Sequence, residues 1–379
     1  MAATVVTIVT LLGATATAAP ATHATLPQEN VPTVAPVAHD ALYDRLQSGA
    51  LSEARYALER VRSLFHLSEV RDEYGAVSRP APTDATLLMR DLALRLDSLS
   101  GDDRAAAEDL LARPTQGSND PDGMGYATNE AAPRCSANVC VHYVTSTTDR
   151  TTAAYADKVL AVMDEVWVTE VDSFRWREPQ SDSQARPNGG DGRFDVYLAN
   201  VGAQDIYGYC TVDVGQNTYT RSTYCVLDND FVEFPSPVED GALRVTAAHE
   251  FNHAIQYAYD VTDDYWLMEA TSTWIEDEVY DDVNDNYQYL VTGPLGSPEV
   301  PADSFIDFSS FGRDSGYQYG TFVWMRYLSE MFHSRDIVRR IWEEVDARTA
   351  GASSLYSLQG IAAALEEQGT GFSSSFADF

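Results

Sequence analysis

Positive charge is scarce: 25 Lys and Arg stand against 58 Asp and Glu in 379 residues, a formal net charge of -33. A field of that sign repels phosphate backbones and anionic lipid head groups, which excludes nucleic acid as a partner. The acidity is spread along the chain rather than gathered in a tail, so it keeps a protein dispersed and names no substrate. Low-complexity tracts are absent, and a 44% share of hydrophobic residues suits one or two sizeable cores, which excludes disorder. Also missing are a GxGxxG fingerprint, a Walker loop and a GxSxG elbow, so no motif points to nucleotide binding or a serine nucleophile.

Long apolar runs are missing after the N-terminus, and nothing later approaches the length of a membrane-spanning helix. Residues 4–18 are apolar, with small residues at Ala16, Ala18, Ala19, Ala21 and Ala24, and no Lys or Arg precedes them. This reads as a signal peptide over residues 1–24 that lacks its charged n-region. The expected product is secreted and extracellular, with no membrane partner after cleavage. Cysteines are few: Cys135 and Cys140 lie close together, as do Cys210 and Cys225. In an oxidising compartment the short-range pairing is the simplest of three connectivities, and no CxxC clamp favours a thiolate metal site.

Residues 40–114 carry leucines at helical spacing, among them Leu42, Leu46, Leu58, Leu64, Leu87, Leu88, Leu92, Leu96 and Leu110. Ser52, Asp84 and Ser100 are the expected N-caps, and Pro114 ends the last helix. A Gly, Asn, Asp and Pro-rich stretch at 115–134 reads as a linker or processing site, and residues 25–134 together as a helical N-terminal region, expected to be a propeptide, with an integral N-terminal layer as the alternative. From Cys140 the texture changes. Strands are expected at 141–145, 193–200, 207–212 and 224–228, a helix at 152–174, and mostly helix from 241 to about 368. Strands first and helices afterwards indicate an α+β domain over 135–379, a small sheet packed on helices.

The sharpest feature is His249-Glu250-Phe251-Asn252-His253 within a helical pattern. Residues four apart share a helix face, so His249 and His253 can offer two imidazoles to one zinc ion. Glu250, about 100° round the helix, falls beside the open coordination position, where it can take a proton from water. Beyond a short loop, Trp266-Leu267-Met268-Glu269 begins another helical pattern. Glu269 is the candidate third ligand; Glu276, two turns on, is placed to hold a ligand histidine's other ring nitrogen.

These segments resemble the gluzincin metallopeptidases. The first is similar to the thermolysin-type active helix and the second to the WLNEG segment of zinc aminopeptidases. Within that clan the chain is most similar to secreted bacterial proteases of the hyicolysin type and to related actinobacterial and myxobacterial metalloproteases. The resemblance implies a zincin-like domain, one catalytic zinc held by His249, His253 and Glu269, Glu250 as general base, and protein or peptide substrates for a monomer. Gly316-Tyr317-Gln318-Tyr319-Gly320 resembles the aminopeptidase segment whose tyrosine stabilises the oxyanion. That role falls on Tyr317, with Tyr319 next and His333 a further candidate.

The chain also departs from the clan. Fifteen residues separate His253 from Glu269, fewer than in the thermolysin or aminopeptidase groups, and Thr273 stands where thermolysin-like enzymes have an aspartate. Gln256 and Tyr259 exclude the metzincin pattern. Absence of the GxMEN motif removes the usual anchor for a free amino terminus and favours an endopeptidase. The turn around Asp191 and Asp195 hints at a structural calcium site, against which stands a plain tight turn. His142, on the first strand, reads as structural. The rival to a protease is an inactive zincin-fold adhesin or cell-surface binding module, which the intact Glu250 disfavours.

Overall fold

The computed structural model describes residues 40–115, 125–216, 218–291, 293–296, 317–348 and 355–379. The apolar leader, residues 116–124 of the linker and Gly316 lie outside the described residues. Among the described residues the chain is α+β, with 13 α-helices and one five-stranded mixed sheet.

The leucine pattern of the N-terminal region resolves into α1 (Ala41–Gln47), α2 (Glu53–Phe65), α3 (Leu67–Tyr74), α4 (Ala85–Arg95) and α5 (Gly101–Leu110). Ser52 caps α2 as expected, its hydroxyl accepting from Arg55 N. Ser100 holds the N-cap position of α5 without a side-chain bond, and Asp84 instead closes a 3₁₀ turn, Pro82–Asp84, that leads straight into α4. Leu58, Val61, Leu64, Leu87, Leu88, Leu92 and Leu110 are all buried. They belong to a continuous core that also holds the strands and the later helices, so this region is packed onto the rest of the fold rather than folded apart.

The strands are β1 (Arg134–Cys135), β2 (Val139–His142), β3 (Phe194–Ala199), β4 (Gly208–Val212) and β5 (Thr223–Asp228), in the spatial order β1-β2-β3-β5-β4. β2, β3 and β5 run parallel, while the edge strands β1 and β4 are antiparallel to their neighbours. The first full strand starts at Val139 rather than 141, because its partner β1 reaches back to the Cys135–Cys140 disulfide. Cys210 and Cys225 form the second disulfide, across β4 and β5, so both short-range pairs are present.

Every residue of β3, β4 and β5 is buried, as expected for strands covered on both faces. Alternation divides β3. Phe194 meets Phe251 of the following helical layer at 5.3 Å, whereas Asp195 and Tyr197 face the opposite way, toward Arg113 at the end of the N-terminal region. Arg113 is 2% exposed and sits among Asp182, Asp195 and Asp213. Its long side chain thus ties the N-terminal layer to the sheet by a buried ionic cluster.

The crossover from β2 to β3 uses α6 (Ala153–Trp167), which passes into a π-helical turn, Val168–Ser173, where one uniform helix was expected. After β5 come α7 (Gly241–Tyr259) and α8 (Tyr265–Val279), which pack on each other and carry the HExxH and glutamate segments. The five-residue turn between them, residues 260–264, is held from the N-terminal layer. Buried Arg90 donates to the carbonyls of Val261 and, at 2.7 Å, of Asp263. That tight turn accommodates the short spacing from His253 to Glu269.

Candidate active site

Every residue of α7 except Arg244 is buried, so this is an interior helix whose polar side chains must find partners inside the protein. His249 and His253 lie on one face, their Nε2 atoms 3.1 Å apart. Glu269, in the second turn of α8, brings Oε2 to 3.1 Å from His249 Nε2 and 3.6 Å from His253 Nε2. Four ligands at about 2.0–2.1 Å around a tetrahedral zinc stand about 3.3 Å from one another, and these three separations bracket that value. Glu269 is fully buried, and its Oε1 has no hydrogen-bond partner. A buried orphan oxygen costs about 1–3 kcal/mol unless something outside the protein atoms satisfies it. The residues present therefore fit a divalent ion.

The outer ring nitrogens are fixed as well. His249 Nδ1 donates to Glu276 at 2.6 Å, and His253 Nδ1 donates to Gln256 Oε1 at 2.9 Å. Gln256 Nε2 in turn donates to Asn252 Oδ1 and the Met268 carbonyl, and Asn252 Nδ2 donates to buried Glu170. Both imidazoles are thereby turned with Nε2 inward, toward Glu269. Burial alone would raise Glu269, but His253 and His249 outweigh it and hold the carboxylate at about 2. Burial dominates at Glu276, which stands at about 7 despite His249. At His249 the order reverses: burial opposes the charged form, yet Glu269 and Glu276 together raise it well above the usual imidazole range.

Glu250 is 7% exposed, and burial raises its carboxyl against the pull of His249 and His253. It shares a small cavity, about 50 Å³, with His249, Glu276, Tyr207, Asp285, Tyr289 and Tyr319. Tyr319 stacks over the His249 ring, centroids 6.0 Å apart and planes 24° apart. Tyr317, the residue named first by the resemblance, is buried at the start of the helix Tyr317–Gly320, and it is Tyr319 that the fold brings to the cleft. His333 lines a separate groove with Asp277, Glu278 and Arg335.

The remaining candidates are dispersed. Asp191 pairs with Arg193, and Asp195 with Arg113 and His142, so the two carboxylates of the turn that hinted at calcium face different partners, in keeping with the preferred plain turn. Gly189 is required there: its φ is +62°, and a Cβ would strike the Asp195 carboxylate. His142 is the structural residue expected, buried between Glu130 and Asp195 and stacked on Tyr197 at 4.4 Å.

Two partners of the site escaped the sequence reading. Gln256 lies three residues after His253 and was accessible to helical geometry. Thr86, whose hydroxyl donates to Glu250 Oε2 at 2.8 Å, lies 164 residues away in the N-terminal layer, and no local signal marks it. Compared with known proteins, no family model matches the chain, and neither a curated protein nor a solved structure matches it.

Proposed function

We propose that the chain is a secreted zinc-dependent endopeptidase of the gluzincin type. One observation carries the reading: His249 Nε2, His253 Nε2 and a fully buried, half-satisfied Glu269 converge at ligand spacing beside the carboxylate of Glu250. A bound zinc ion supplies Lewis acidity, making water acidic enough to ionise near neutral pH and polarising a peptide carbonyl.

The protein's own residues do the rest. Glu276 and Gln256 lock the two imidazoles so that each Nε2 faces Glu269, where His249, His253 and Glu269 would hold the ion. Glu250, with a carboxyl already raised by burial, accepts a proton from the attacking water and passes it to the leaving amine. The Tyr319 hydroxyl, on the ring stacked over His249, is the donor for the oxyanion that forms on the substrate carbonyl. The apolar leader and two disulfides support export. The missing GxMEN motif supports cleavage within chains rather than from their ends.

The reading is tested by loading the purified chain with zinc and following hydrolysis of a quenched-fluorescent peptide library with and without a chelator. Zinc-dependent cleavage at internal bonds is expected from the chain or from a form in which the cleft beside Glu250 has been opened; an adhesin would bind metal and cleave nothing in either form.

A further inference from the structure

The cleft beside Glu250 measures about 50 Å³, whereas pockets that enclose even a small ligand run to about 300–1,000 Å³. What closes it is the chain itself. Pro82 and Thr83 of the 3₁₀ turn line the cleft, and that turn and the first turn of α4 engage three separate groups around it. Tyr319 donates its phenol proton to the Thr83 carbonyl at 2.6 Å. Thr86 donates its hydroxyl proton to Glu250 Oε2 at 2.8 Å. The same Thr86 oxygen accepts from the backbone N–H of Cys210, at 3.0 Å, on the outer edge of β4.

Each of these bonds is one that a peptide substrate or its attacking water would need. A backbone carbonyl occupies the proposed oxyanion donor, a hydroxyl occupies the proposed base, and an edge-strand N–H that could pair with an extended peptide is already satisfied. A loop that merely covered the cleft would not be expected to match all three. The chain that follows is fixed too, since Arg90 is buried against the 260–264 turn and Arg113 among three carboxylates.

We infer that residues 82–86 are an intramolecular peptide ligand that occupies the substrate's place, so that the chain as folded is an inhibited form of the protease. The inference rests on the reading of the site as a zinc endopeptidase. It identifies the inhibitory element as this five-residue segment, with Thr86 as the side chain that blocks the base. Because α4 and the chain on to Arg113 are anchored in the core, cutting in the 115–134 linker leaves the segment seated, and activity requires its displacement.

The test compares zinc-loaded full chains: wild type, Thr86→Val, Thr86→Ser, and a variant with Pro82, Thr83 and Asp84 all replaced by glycine. Calorimetric binding of a dipeptide hydroxamate, a small zinc-chelating probe, reads access to the site independently of catalysis. Thr86→Val and the triple-glycine chain are expected to bind it about 10- to 100-fold more tightly than wild type, the scale of one hydrogen bond to a buried charge. Thr86→Ser, which keeps the hydroxyl, should behave as wild type. Equal binding by all four chains, or binding by none, overturns the inference. So does weaker binding by Thr86→Val, which would make Thr86 a fixed support of Glu250. Hydrolysis of a peptide pool by the same samples reports on the protease reading separately: a chain that gains the probe without gaining hydrolysis retains the plug and loses the protease.

Discussion

Glu269 and Glu276 lie on the same helix and both touch His249, yet the account gives them different roles, and their alanine variants separate those roles quantitatively. Free energies for zinc held by four ligands run to about 10–16 kcal/mol, so one ligand is worth about 2.5–4 kcal/mol, or roughly 100- to 1,000-fold in affinity. Glu269→Ala removes a carboxylate that lies 3.1 and 3.6 Å from the two imidazole nitrogens and should weaken zinc binding on that scale. Glu276→Ala removes only the 2.6 Å bond that orients His249. A hydrogen bond to a buried charge is worth about 1.5–3 kcal/mol, and loss of an outer partner of a metal ligand weakens binding by about 10- to 100-fold. The assay is competitive titration of zinc-loaded protein with a chromophoric chelator of known affinity, with circular dichroism to confirm folding. Glu276→Ala weaker than Glu269→Ala would refute the assignment of ligand and support. Equal losses would refute the claim that only one of them reaches the ion.

Three other consequences are accessible to routine measurement. With the cleft freed, Tyr319→Phe should lower kcat about 10²- to 10³-fold with KM within a few-fold, the cost of one oxyanion donor, while Tyr317→Phe changes little; the opposite pattern returns the donor to Tyr317. Arg113→Met strands three buried carboxylates, so urea unfolding should show a loss of about 3–5 kcal/mol, and a loss under 1 kcal/mol would contradict the buried cluster. His142 is held at about 9 because Asp195 and Glu130 outweigh its burial. Its contribution is therefore complete below about pH 6.5 and lost as pH rises through 9, on the order of 3 kcal/mol. His142→Asn should flatten that slope in urea titrations at pH 6.5 and 9.5.

Some of this is legible in the sequence. Helical periodicity alone places His249 and His253 on one face, and the fold puts Glu269 and Glu276 where the spacing of the second helix suggested. Strand alternation located β3, β4 and β5 to within one or two residues. The choice between Tyr317 and Tyr319 was not legible. Two residues apart on a helix point about 200° away from each other, and a four-residue helix offers too little periodicity to show which face is buried against His249. The relation of the N-terminal helices to the site was equally hidden. Their leucines mark amphipathic helices without saying what they cover, and the contacts that decide it, Thr86 with Glu250 and Arg113 with Asp213, span 164 and 100 residues. A helix-breaking π turn at 168–173 carries no Gly or Pro that would announce it, although it positions Glu170 behind the Asn252–Gln256 relay.

The proposed function has a zinc ion on His249, His253 and Glu269 working with Glu250 as proton carrier. The deciding comparison is Glu250→Gln against its parent, both with residues 82–84 replaced by glycine, with zinc content and peptide hydrolysis read in the same samples. About one zinc per chain is expected in both proteins, and hydrolysis in the parent alone. Full hydrolysis by Glu250→Gln, or hydrolysis by a parent stripped of zinc, would contradict it.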